Sequence, residues 1–194
     1  MKGQRIVAVQ NGILKTFLMS RSPIAGFPNS NGHGRRSPGN EIVSRQSNQI
    51  VESTNKVSDA ELRKMLIEEV KKQNKPYGLY FDHVTGGYTT TASRGLQAFT
   101  VIPLIVYRVF ADGRPDELIR GADIVGTPLA SFEKIVATSD KMEVFNGICG
   151  AESGNVPVSA VSPALLVSEI EIQRKERWQD RPPYLGRPVS EGQF

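Results

Sequence analysis

Apolar and polar positions alternate along most of this chain, and only two stretches repeat at helical spacing. Residues 5–9 and 13–19 are strand-like runs joined by Asn11-Gly12, a pair that tolerates positive φ at both positions and predicts a tight hairpin. Turn formers then crowd residues 20–58, with Ser22-Pro23, Phe27-Pro28, the run from Asn29 to Gly34, and Ser37-Pro38-Gly39. The expectation is one long loop, and loops of that length inside compact domains are usually functional or disordered.

A helix is expected over 58–74. Ser58 can cap it with Glu61 three residues on, Leu62, Leu66 and Val70 share one face, and Pro76 stops it. Residues 77–83 predict a strand, Gly86-Gly87 a turn, and 97–110 a long strand that Asp112-Gly113 sends back into 117–124. Thr127-Pro128 has the signature of a second helix start, giving a helix over 128–138 with Leu129, Phe132, Ile135 and Val136 on its apolar face. Strands at 142–145, 156–161 and 165–172 follow, with a glycine-rich turn around Cys149 between the first two. The fold class expected is α+β: a predominantly antiparallel, barrel-like β domain with two helices, spanning 1–173. Residues 174–194, charged and proline-containing, are expected to form a tail without a core of its own.

Composition narrows the functional classes. With 39% hydrophobic and 23% charged residues in a chain of 194, wholesale disorder is not expected, and one Cys excludes an internal disulfide framework. The apolar run at 6–9 is too short for a signal-peptide core, and 101–109 is interrupted by Pro103 and Arg108. No membrane segment is therefore expected, and a lone thiol suits a reducing, cytoplasmic setting. The net charge of +4 is concentrated toward the start, where Lys2, Arg5, Lys15, Arg21, Arg35, Arg36 and Arg45 face only Glu41. Without an aromatic stacking pattern or a recognition helix, this excess does not make nucleic acid the expected partner.

Few residues can carry chemistry. Cys149, between Gly147 and Gly150, is either a presented thiol that serves as ligand or nucleophile, or a small buried apolar residue; spacing alone favours the second. His33 and His83 lie too far from each other and from Cys149 to form a short-spaced zinc motif. The glycine-rich runs lack both the dinucleotide pattern and the phosphate-loop lysine. Arg35-Arg36 offers either an anion contact or a solvated or internally paired face.

Taken in order, however, several segments share one resemblance. The stretch from Asn146 through Cys149, Gly150, Gly154, Val156, Pro157 and Val158 to Pro163 and Leu165 resembles the C-terminal signature of the TldD/PmbA family, also called the modulator-of-DNA-gyrase family. The Asn11-Gly12 hairpin, Ser20-Arg21, the run from Asn31 to Arg36, and the segment from Lys75 to Tyr80 are similar to that family in the same order, over residues 1 to about 175. The Gly86-Gly87 pair is shorter than the family's glycine run. The resemblance implies a zinc metallopeptidase acting on unstructured peptides, whose metal is held by a His-Glu-x-x-x-His helix and a distant Cys. By position Cys149 is the zinc ligand, and no catalytic residue falls within this chain. The histidine helix would lie upstream of Met1, on an N-terminal segment or subunit, and neither His33 nor His83 belongs to it. The resemblance also implies a homo- or hetero-dimer. A domain supplying one thiolate and no general base is expected to be inactive alone.

Overall fold

The computed structural model describes residues 2–91 and 94–175. In chain order it contains β1 (Val9–Gln10), β2 (Ile13–Leu14), β3 (Gly34–Arg35), β4 (Val43–Ser44), β5 (Asn48–Ile50), β6 (Lys56–Val57), α1 (Asp59–Lys72), β7 (Gly78–Thr90), β8 (Ala98–Val109), β9 (Glu117–Ile119), β10 (Ala122–Gly126), α2 (Pro128–Glu133), β11 (Ile135–Ala151), β12 (Gly154–Val167) and β13 (Glu171–Arg174). The class is α+β. Its strands form two main sheets, in the orders β13-β10-β8-β7 (with β9 also on β8) and β5-β12-β11-β6, and both orders are open among the described residues.

The first sheet is built on β8. One edge pairs antiparallel with β7 from Gly78↔Val109 to Thr90↔Ala98, and the other carries β9 at Val106↔Ile119 and β10 at Val101↔Ile124. The strand expected over 117–124 is thus two strands, broken at Gly121, whose φ of 74° lets the chain step between two places on the same edge. The turn expected at Gly86-Gly87 is absent: β7 runs through it, with register shifts between Phe81 and Gly86. The glycine at 87 answers a close approach instead, since a Cβ there would stand 2.3 Å from the Thr100 carbonyl oxygen.

The second sheet is dominated by the β11–β12 hairpin, paired from Ile135↔Val167 to Ala151↔Gly154. Two short strands lie parallel on its outer edges, β5 on β12 (Asn48↔Ser159) and β6 on β11 (Lys56↔Thr138). These strands, together with the β3–β4 pair, come from the stretch expected to be a loop. Its turn formers are real, but two- and three-residue strands between them leave no periodicity to read. The opening hairpin is shorter than expected. Asn11 (φ 52°) and Gly12 (φ 76°) make the predicted turn, while only Val9–Gln10 and Ile13–Leu14 pair.

Helix α1 matches its expectation closely. The Ser58 side chain accepts from the Glu61 backbone N–H at 3.2 Å, and the helix packs against β7 of one sheet and β11 and β12 of the other. Val70, on its apolar face, is buried, as are Val106, Val109 and Phe110 on and just after β8 and Ala137 and Leu166 of the long hairpin. The second helix is a correction. It stops at Glu133, and Ile135-Val136 begin β11, because a β-branched run with a partner strand is better placed in a sheet. Leu129 and Phe132, placed on its apolar face by the sequence, are exposed. Strand β12 likewise ends at Val167, before β13 pairs with β10 through Ala122↔Arg174. Of the tail expected over 174–194, Arg174 belongs to β13 and the Lys175 N–H donates to the Gly121 carbonyl at 2.9 Å. Residues 176–194 lie outside the described residues.

Candidate metal-ligand site at the hairpin tip

The structure places Cys149 inside a strand and not in a glycine-rich turn: it pairs with Val156 near the end of β11, and the chain reverses only at Glu152-Ser153. The flanking glycines therefore do not bend the backbone. Alternation puts Phe145, Gly147 and Cys149 on one face, and the Phe145 ring lies over Gly147, where a Cβ would be 2.9 Å from its edge. Cys149 itself is partly exposed. A thiol that remains accessible in the metal-free chain can be reached by a metal.

What holds this tip is the segment around β3 and β4. Ser37 donates its backbone N–H to the Ser153 carbonyl at 2.8 Å and its hydroxyl to the Asn155 carbonyl at 2.6 Å. Arg45, just after β4, is 5% exposed. Its guanidinium donates through Nη1 to Ser153 Oγ (2.7 Å) and the Gly154 carbonyl (2.9 Å), and through Nη2 to the Cys149 carbonyl (2.6 Å). Ser153 is 1% exposed. Gly154 has φ +86°, and a Cβ there would meet Ser37 Oγ at 2.6 Å. Sequence reading counted Arg45 only among the basic residues near the start of the chain and gave it no role at this site. It stands alone in a polar stretch, and its partners lie more than a hundred residues away.

The other candidates lie elsewhere, and His33, Arg35 and Arg36 bond within their own loop. His33 is buried, with Nδ1 2.8 Å from Asn31 Oδ1 and 3.2 Å from the Asn31 carbonyl. Since Asn31 Oδ1 also accepts from the Met19 N–H, both neighbours are acceptors, and the network assigns the proton to Nδ1. His83 is on β7 of the first sheet, 3.7 Å from Asp82. Arg35 donates to the Gly32 and Gly34 carbonyls at 2.8 Å, and Arg36 to the Asn40 carbonyl at 3.1 Å, so both serve their own loop. Among the described residues no group of three His, Cys, Asp or Glu converges to hold a metal ion. Cys149 is thus a single free, partly exposed thiol, and no such group forms around it among the described residues.

Comparison with known proteins addresses this donor set. A family model described as the PmbA/TldA metallopeptidase C-terminal domain matches residues 1–174. The chain belongs to this family. It is 28% identical over 159 residues to the metalloprotease MJ0996 of Methanocaldococcus jannaschii, covering 81% of this chain and 32% of the relative. A metalloprotease TldD homolog of Haemophilus influenzae is 26% identical over 171 residues, covering 86% of this chain and 32% of the relative. Another, from Buchnera aphidicola, is 26% identical over 176 residues, covering 88% and 33%. The PmbA/TldA C-terminal domain described here thus spans about a third of the length of the curated relatives it matches. The family names a metal-dependent peptidase, and the chain offers a single soft donor at the tip of its longest hairpin.

Proposed function

We propose that this chain acts as the C-terminal domain of a zinc metallopeptidase, contributing Cys149 as one metal ligand to a site completed by a His-Glu-x-x-x-His segment or subunit. The observation that carries the reading is the partly exposed Cys149 on a pinned hairpin tip, in a chain that matches the metallopeptidase C-terminal domain over residues 1–174. When bound, the zinc would lower the pKa of a coordinated water to about 7, making a nucleophile at neutral pH. Cys149 would supply one thiolate to the metal, and the histidines and the general base would come from the completing segment. Unstructured peptides are the proposed substrate, a homo- or hetero-dimer the proposed assembly, and the cytoplasm the proposed location. No helix among the described residues is long and apolar enough to cross a membrane.

The test is Cys149→Ala in the assembly that carries both parts. Loss of stoichiometric zinc and of peptide cleavage is the expected result, and the 194-residue chain alone should do neither. Unchanged zinc content and activity in Cys149→Ala would instead make this domain a non-catalytic module for a peptide or partner subunit. Zinc-dependent cleavage by the isolated chain would remove the need for a completing segment.

A further inference from the structure

Arg45 is buried as a cation without a carboxylate within ion-pairing distance among the described residues. Such burial is costly unless the charge is fully hydrogen-bonded, and three of its hydrogen bonds go to atoms of one six-residue span. That span is 149–154, gripped at both ends. The planar fork suits this arrangement: one nitrogen holds the turn through Ser153 and Gly154 while the other holds the carbonyl of the cysteine. The ladder pairing with Val156 holds the backbone of Cys149, and the grip on its carbonyl orients the peptide plane that follows, so the base from which the Cα–Cβ bond departs is fixed on both sides. The base of Arg45 is anchored in turn. Its backbone N–H donates to the His33 carbonyl at 2.9 Å, and the His33 N–H donates to the Met19 carbonyl at 3.1 Å.

We propose that Arg45 is a positioning residue for the Cys149 ligand: it holds the hairpin tip in the geometry that aims the thiol before any metal arrives. The inference rests on the reading of Cys149 as a zinc ligand, and adds to it the side chain that orients the ligand from outside the coordination sphere. Outer-sphere partners of this kind typically contribute 10–100-fold to metal affinity.

The experiment uses the complete assembly with cobalt(II) as the spectroscopic probe and zinc affinity measured by competition with a chromophoric chelator. Cys149→Ala should abolish the thiolate-to-cobalt charge-transfer band. Arg45→Met, which keeps length and apolar bulk, should weaken zinc binding by roughly 10–100-fold, shift or broaden that band, and speed amide exchange across 149–154. Arg45→Lys keeps the charge but not the fork and should recover only part of the affinity. If Arg45→Met does not fold, Ser153→Ala removes one acceptor of the same fork and should lower affinity in the same direction. A lower melting temperature with unchanged zinc affinity and an unchanged band in Arg45→Met, or unchanged affinity in Ser153→Ala where that variant stands in, would reduce Arg45 to a structural staple and overturn the proposal, leaving Cys149 a ligand. A band that survives in Cys149→Ala overturns the ligand reading itself, and the proposal with it.

Discussion

Gly39 and Gly154 share a backbone angle, φ +86°, but not their surroundings. A Cβ at 39 meets nothing within 4 Å, while one at 154 would press into Ser37 Oγ and Asn40 Nδ2 at 2.6 and 2.7 Å. Gly39→Ala should therefore cost only the left-handed backbone penalty of about 1–2 kcal/mol. Gly154→Ala should add about 1–3 kcal/mol of overpacking and loosen the grip of the 37–40 turn on the hairpin tip. Urea midpoints of the two variants measured side by side check the difference. At His33, an alanine leaves the half-buried Asn31 Oδ1 with one donor fewer and opens a small void; the expected loss is about 1–3 kcal/mol, read from the same denaturation curves.

Among the elements, α1 carries a pH dependence that can be worked out by sign. Asp59 in its first turn accepts from Lys141 Nζ at 2.6 Å and from Ser139 Oγ, and these two hydrogen bonds, Lys141 foremost, hold its carboxyl below the ordinary value of 3.8. A depressed carboxylate stabilises the fold in full above its unfolded pKa and loses that contribution as pH falls through the lower folded value. Unfolding at pH 6 and at pH 2.5 should therefore differ more in the wild type than in Asp59→Asn, and equal slopes would remove Asp59 from the acid response. Removing the cap with Ser58→Ala should cost about 1 kcal/mol at either pH. This helix was legible in the sequence because each of its signals is local: cap, apolar face, stop. The long strand at 98–109 was legible for the same reason, whereas β12 (154–167) was read as parts of two strands, 156–161 and 165–172. What escaped was set by partners distant in sequence. β5 and β6 are strands because β12 and β11 offer them edges, α2 is short because Ile135-Val136 have a strand to pair with, and Cys149 sits in a ladder because Val156 lies opposite. Cys149 stood out by resemblance alone, and Arg45, whose contacts all lie across the fold, gave no local sign.

For the molecule as a whole, the buried apolar residues are few and mostly small: Val70 on α1, Val106, Val109 and Phe110 on and just after β8, Ala137 and Leu166 near the root of the long hairpin, and Met19 and Val156 elsewhere in the chain. The far half of that hairpin is different, with Val144 at 63% and Ile148 at 73% exposure. Val109→Ala, at 1% exposure, should accordingly cost about 2 kcal/mol, while Ile148→Ser should stay within roughly 0.5 kcal/mol in chemical denaturation of this chain. The parallel pairing of β5 with β12 also has a consequence in time. Asn48 leaves the ribosome well before Ser159, its partner, exists. At about 5–20 residues per second, that stretch of synthesis takes roughly 5–20 s. Throughout that interval β5 is nascent chain without the edge it pairs with, so it can join the second sheet only after both arms of the cysteine-bearing hairpin have been made.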